Sequence, residues 1–167
     1  SWPTGKKLVA LTYDDGPNKD LTPKLVALLE EKKAPATFFV LGQSASVNQK
    51  GLADLAARGF EIGNHSYTHR QYTKISADAV REDLERTSDL VSSATGIRMT
   101  VMRPPYGAHN SQVRRVCDEM GYKVILWDVD TNDWRGRSPE QITNTVMTET
   151  RDGSIILMHD RRHKVGG

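Results

Sequence analysis

Short apolar runs rich in β-branched residues alternate along this chain with longer stretches whose apolar positions recur at the helical period. That is the pattern of βα units rather than of a meander of hairpins. Strands are predicted over residues 7–13, 36–40, 61–64, 100–102, 123–127 and 154–158. Between them, residues 21–32 set Leu21, Leu25, Leu28 and Leu29 on one helical face, and residues 76–94 carry Val80, Leu84 and Val91 inward behind the capping residue Ser76. Further helices fit residues 49–58, 111–120 and 139–150, the last with Ser138 as N-cap and Pro139 at its first position. No internal repeat, low-complexity stretch or linker interrupts the pattern, so residues 1–167 are expected to form one domain.

On this map the polar clusters are not scattered. Asp14 and Asp15 follow the first strand, His65 and His69 the third and Arg103 the fourth; Asp128, Asp130 and Asp133 follow the fifth, and His159 ends the sixth. Each cluster therefore sits at the carboxyl end of a strand. Parallel strands joined by helical crossovers bring those ends to one face. Contributions from nearly every strand suit a (β/α) barrel better than an open sheet with one switch point.

Composition narrows the chemistry. A net charge of +2 is too small to imply a nucleic-acid partner without a clustered basic face, and the Arg161-Arg-His-Lys164 run is expected to be a solvated tail. The single cysteine, Cys117, lies among Val113, Val116 and Met120 at helical spacing and reads as a core thiol. It excludes a thiolate cluster, so any metal must be held by His and carboxylate. The longest apolar runs are about five to six residues, against the roughly 20 needed to span a bilayer, so no membrane insertion is expected. The chain opens Ser-Trp-Pro-Thr-Gly with neither a methionine nor a targeting segment.

His65-Ser-Tyr-Thr-His69 has a His-x-x-x-His spacing that would put two imidazoles on one face of a helical turn; taken alone, it is better explained as two ordinary histidines four residues apart. Asp14-Asp15 before Gly16-Pro17 strengthens the ligand interpretation, because adjacent carboxylates repel unless a cation or a proton relieves them. Two histidines and one carboxylate leave coordination positions open, and the second carboxylate can serve as a general base on water. Arg103-Pro-Pro-Tyr-Gly107 is a stiff turn that could present a backbone N–H near Tyr106 to an oxyanion, though taken without its neighbours it reads more readily as a plain βα loop. Arg103 itself needs a partner at a buried strand end, and Asp14 is the natural one. Trp127-Asp-Val-Asp-Thr-Asn-Asp-Trp134 packs three acids and two tryptophans into eight residues, and His159 ends the last apolar run as a candidate acid.

Together, Thr12-Tyr-Asp-Asp-Gly-Pro17, His65-Ser-Tyr-Thr-His69, Arg103-Pro-Pro-Tyr-Gly107, Asp130-Thr-Asn-Asp-Trp134 and Leu157-Met-His159 resemble, in order, the five motifs of the polysaccharide deacetylases, the NodB-homology enzymes of carbohydrate esterase family 4. The resemblance implies a distorted (β/α) barrel of about six to seven parallel strands, open or truncated at its C-terminal end. It implies a catalytic divalent metal, zinc foremost and cobalt or nickel as substitutes. It implies an acetylated polysaccharide or oligosaccharide as substrate, such as chitin, peptidoglycan or acetylxylan, and a secreted or cell-surface monomer. Position by position it makes Asp14 the base and Asp15, His65 and His69 the metal ligands. Arg103 would orient Asp14, Asp133 would orient the acid His159, Tyr106 would offer its backbone N–H to the oxyanion, and Trp134 and Leu157 would shape the acetyl pocket. Two departures stand out: Tyr13 occupies a position where Phe is common, and only about eight residues follow His159 where members usually continue with a helix and a strand. The competing expectations are a carbohydrate-binding module without catalysis and an amidohydrolase acting on a small cyclic amide.

Overall fold

The sheet is built by connectivity as much as by pairing. In the computed structural model, which describes residues 7–161, seven strands run parallel: β1 (Ala10–Asp14), β2 (Thr37–Val40), β3 (Glu61–Asn64), β4 (Val101–Met102), β5 (Lys123–Val124), β6 (Val129–Asp130) and β7 (Ile155–His159). Their order across the sheet is β5-β4-β3-β2-β1-β7-β6. Strands β5 and β6 therefore occupy opposite edges while only residues 125–128 join them. Seven strands laid flat would separate the edges by about 29 Å, and five Cα steps span at most about 18 Å. The sheet must curl, and the result is the expected barrel with one seam left open. Ile125 N–H still donates to Met102 O on the β4 side and Asp128 N–H to Ile155 O on the β7 side, each at 2.9 Å, so the linker is pinned at both ends as it crosses the seam. The strand predicted over 123–127 thus forms only at its first two residues, as β5, and β6 follows on the opposite edge. The sequence pattern missed β6 because Val129 stands as one apolar residue in an acidic run, Asp128 to Asp133, that reads as a polar turn.

The helices are α1 (Leu21–Glu31), α2 (Gly42–Ser46), α3 (Gln49–Ala57), α4 (Ala77–Thr95), α5 (Ser111–Glu119) and α6 (Pro139–Glu149). Five lie within a residue or two of their predicted bounds, and α2, a single turn between β2 and α3, was not predicted. Val80, Leu84 and Val91 are fully buried, as the period of α4 requires, and Ser76 caps that helix by accepting the Ala79 N–H. Ser138 and Gln141 form a reciprocal capping box at the start of α6. In α1 the buried face is Thr22, Val26 and Leu29, whereas Leu28 faces solvent, a rotation of roughly one position from the predicted stripe. The first strand begins at Ala10, not residue 7, because residues 7–9 bond to the turn before β7 instead of to a strand: Leu8 N–H reaches Asp152 Oδ1 and Gly153 N–H reaches Leu8 O.

Alternation along the strands sorts side chains into two cores. Tyr13, Phe38, Val40, Ile62 and Met102 face the helices and join Leu52, Leu55, Val113, Val116 and Cys117 in the main apolar cluster. Burial pushes the Cys117 thiol up to about 11, consistent with a core thiol. Tyr13 stacks on Phe38 with ring centroids 5.4 Å apart. Burial and the charges of Asp160 and Asp133 raise its hydroxyl to about 12, so it serves in this layer as a neutral aromatic, the job a Phe would do. Thr12, Asp14, Phe39 and Arg103 occupy the barrel interior instead, where Arg103 lies over the Phe39 ring at 4.3 Å. Among the described residues no helix is long and apolar enough to cross a membrane. Arg161 is exposed, as expected of the basic run; the rest of that run, 162–164, lies outside the described residues.

A candidate metal site at the carboxyl ends of the strands

Asp15, His65 and His69 each offer a ligand atom to a common point, all within 4.8 Å of one another. Asp15 Oδ1 lies 3.3 Å from His65 Nε2 and 3.4 Å from His69 Nε2, yet this buried oxygen accepts no hydrogen bond of proper geometry. Such separations match the edge of a tetrahedron with bonds of about 2.0–2.1 Å, the arrangement of nitrogen and oxygen ligands around zinc. The three residues therefore fit a divalent ion better than they fit one another. The two imidazoles are brought together without a helix, contrary to the spacing argument. Residues 65–69 are a loop in which Ser66 and His69 take left-handed φ of 71° and 58°, and the rings meet edge to face at 5.1 Å.

The surroundings set proton positions. His65 Nδ1 lies 2.7 Å from Arg103 O, and a carbonyl can only accept, so Nδ1 carries the hydrogen and Nε2 turns toward Asp15. Burial alone would raise the Asp15 carboxyl. The imidazole of His65 beside it and the charges of His69 and His159 outweigh it and hold Asp15 well below the usual carboxylate range. Burial would likewise lower His65, but Asp14 and Asp15 lift it above an ordinary imidazole; His69 is lowered by burial and by its neighbour His65. A cation bound here would take over the compensating role of those protons.

Asp14, next to the trio, is buried and held by Arg103, whose Nη1 donates to Asp14 Oδ1 and to Thr12 Oγ1, both at 2.8 Å. The other side of the same guanidinium reaches across the seam to Leu126 O at 2.9 Å and Ile125 O at 3.3 Å. Asp14 Oδ2 remains on the cleft side, 3.6 Å from His65 Nε2. The partner expected for Arg103 is thus the one found.

On the neighbouring strand His159 is in register with Asp14. Asp133 grips it twice, Oδ1 lying 2.7 Å from the ring Nδ1 and Oδ2 accepting the backbone N–H at 2.7 Å. Burial pulls this imidazole down, but the Asp133 bond and the charges of Asp133, Asp14 and Asp15 raise it above the ordinary value. A cleft of about 620 Å³ is lined by Asp14, Asp15, His65, His69 and His159 and walled by Tyr106, Trp127, Asp130, Trp134 and Leu157. The Pro-Pro-Tyr-Gly turn is stiffer than expected, since Tyr106 itself, not Gly107 alone, has positive φ (64° and 66°). A Cβ at Gly107 would meet the Trp127 ring at 2.6 Å, so the glycine is required by a close approach as well as by its dihedral.

The supporting roles of several residues escaped the sequence reading. Thr12 accepts from Arg103 and donates to Ile156 O at 2.6 Å; it could have been found as the residue two before Asp14 on the same strand face. Ser66 Oγ accepts the His69 N–H at 2.9 Å. Asp160 is buried with Oδ1 unpartnered, while its Oδ2 accepts from Thr22 Oγ1 at 2.7 Å. A Cβ on Gly16 would lie 2.0 Å from that carboxylate, so the turn after Asp15 needs glycine.

The family model for polysaccharide deacetylase matches residues 2–125. Over 154 residues the chain is 42% identical to the peptidoglycan-N-acetylglucosamine deacetylase PgdA of Listeria monocytogenes, covering 92% of this chain but only 32% of that protein's length. The solved structure of peptidoglycan deacetylase PdaC from Bacillus subtilis matches with a TM-score of 0.89 and 38% identity, over 95% of this chain and 77% of that one. A CE4 family pseudoenzyme from Bacillus anthracis matches with a TM-score of 0.90 and 30% identity, over 96% of this chain and 57% of that one.

Proposed function

The chain belongs to the polysaccharide deacetylase family, and we propose that it hydrolyses acetyl groups on the amino sugars of an acetylated glycan, peptidoglycan or chitin, with O-acetyl groups such as those of acetylxylan the alternative. One observation carries this reading. The ligand trio, the Arg103-held Asp14 and the Asp133-backed His159 line a single cleft, where a binding module would need neither of the last two.

A divalent ion held by Asp15, His65 and His69, zinc foremost and cobalt or nickel as substitutes, would supply Lewis-acid polarisation of the acetyl carbonyl and acidify a water. The protein's own groups do the rest. Arg103 fixes Asp14 through Oδ1, which leaves Oδ2 to accept the proton of the attacking water. The Tyr106 backbone N–H donates to the developing oxyanion, and Leu157 and Trp134 enclose the acetyl methyl group. Asp133 occupies His159 Nδ1, so protonation of the departing amine comes from Nε2, and Asp133 raises the proton affinity of the ring, which favours the charged form that this step needs. An envelope glycan as substrate makes the protein a secreted or surface one.

The test is acetate release from peptidoglycan, chitin oligomers and acetylxylan, with and without a chelator. His65→Ala is expected to lose metal and activity together. Asp14→Asn is expected to keep the metal and lose about 10²–10⁴-fold in turnover. A metal-free His65→Ala with full activity would overturn the proposal. The similarity to a pseudoenzyme favours one second reading, a glycan binder without turnover; retained glycan binding with no acetate released from any of the three substrates selects it.

A further inference from the structure

Two of the three proposed ligands are fixed by the sheet, and the third is not. Asp15 follows β1 directly, with its N–H on Phe39 O and its own carbonyl accepting from Ser44 Oγ. His65 follows β3, with its N–H on Val40 O and its ring on Arg103 O. His69 lies four residues further along a loop whose two left-handed residues, Ser66 and His69, each disfavour it by about 1 kcal/mol or more. That loop must be held from outside. On one side the first N–H groups of α2, Gly42 and Gln43, donate to Ser66 O and Tyr67 O at 2.9 and 3.1 Å. On the other side stands one carboxylate on α4. Asp83 accepts the Tyr67 N–H at Oδ2 (2.9 Å), the Thr68 hydroxyl at Oδ1 (2.9 Å) and the Tyr72 hydroxyl at Oδ2 (2.6 Å). Asp83 is 8% exposed, and all three donors come from the histidine loop and the turn that follows it.

We propose that Asp83 is a positioning residue of the metal site, holding the Ser66–Thr68 backbone in the one conformation that delivers His69 Nε2 to the ion. Its role presupposes that Asp15, His65 and His69 hold a metal. The hydrogen-bond pattern also says which replacement should serve. An Asn can turn its oxygen to the Tyr67 N–H and the Tyr72 hydroxyl and donate its amide to Thr68 Oγ1, since a hydroxyl accepts as well as donates. Leu has the same branched shape but no polar atom and can do neither. Asp83 should therefore be replaceable by Asn and not by Leu, whereas a site that needed its charge would reject both.

The experiment measures zinc affinity by chelator competition and the visible absorption spectrum of the cobalt form for wild type, Asp83→Leu, Asp83→Asn and Thr68→Val, with the melting temperature of each metal-free protein. Asp83→Leu is expected to weaken metal binding about 10–100-fold and to change the cobalt spectrum, as loss of a partner behind a ligand does. Asp83→Asn is expected to stay close to wild type. Thr68→Val, which removes one of the three donors, is expected to lose about two- to tenfold with little change in melting temperature. A folded Asp83→Leu that binds zinc like wild type, or an Asp83→Asn as weak as Asp83→Leu, overturns the proposal. Should Asp83→Leu fail to fold, Thr68→Val decides, and unchanged affinity there overturns it. A wild type without measurable zinc or cobalt affinity removes the metal reading and Asp83's role with it, whereas equal binding by wild type and Asp83→Leu removes the role of Asp83 alone.

Discussion

Replacing Arg103 by Met keeps an unbranched apolar stem and deletes the guanidinium with its charge and its donors. Arg103 is fully buried and Asp14 is 3% exposed, so neither charge is relieved by water. At 2.8 Å and an effective dielectric constant of about 20 their attraction is about 6 kcal/mol, and desolvation of both groups offsets much of it. Removing one partner leaves the other charge buried alone, which typically costs about 3–5 kcal/mol. Thr12 Oγ1 and the carbonyls of Ile125 and Leu126 lose their donor in the same change. Against a total stability of about 5–15 kcal/mol this is a large fraction, readable by urea denaturation followed through the fluorescence of Trp127, whose ring lies 5.5 Å from the guanidinium. The decisive comparison is in the Arg103→Met background. There Asp14→Asn should restore stability, because it removes the stranded charge, while the same substitution in wild type should not stabilise. A cost below about 1 kcal/mol for Arg103→Met, with no recovery on adding Asp14→Asn, would refute the coupling of these two residues.

Two pH experiments test the other titrating groups. Because Asp133 raises the proton affinity of His159, activity should fall as pH rises through that elevated pKa; Asp133→Asn should move the alkaline limb of kcat/KM to lower pH, and an unmoved limb would deny Asp133 this role. Burial pushes Asp160 up to about 7 from 3.8, so its contribution to stability is full below about pH 4 and is lost as pH rises through 7. Asp160→Asn cannot ionise, so its stability relative to wild type should climb by up to on the order of 4 kcal/mol between pH 4 and 8, and a constant difference across that window would contradict the account.

What could be read from the sequence is what repeats or what clusters at strand ends. Period two and period 3.6 marked six of the strands and five of the helices, and the alternation of β and α segments implied one catalytic face for Asp14, His65, Arg103 and His159. Elements without an apolar pattern were invisible: β6 is Val129–Asp130 inside an acidic run, and α2 is a single turn that opens with Gly42 and has little apolar pattern. The His-x-x-x-His spacing pointed to the right pair through the wrong conformation. A helix and a clamped left-handed loop can both bring residues i and i+4 together, and nothing in the two histidines distinguishes them. Asp83 was unreadable for a related reason: it lies on the buried side of an otherwise regular amphipathic helix, and only the folded loop supplies the three donors that explain a carboxylate there.

The two halves of the site are therefore built on different foundations. Asp14 and His159, the groups proposed to move protons, are register partners on adjacent strands, and both side chains turn into the barrel. Their separation follows from strand pairing, and Arg103, bridging β1 to the seam, secures it as part of the fold. His69 depends instead on a loop held by side chains from α4 and by the first turn of α2. Damage to the loop should accordingly weaken metal binding while the barrel stays intact. Damage to Arg103 should lower fold stability and activity together while the ligand trio keeps its spacing. Of the two profiles, metal affinity lost with melting temperature retained belongs to Asp83 and Thr68, and stability lost with metal retained belongs to Arg103.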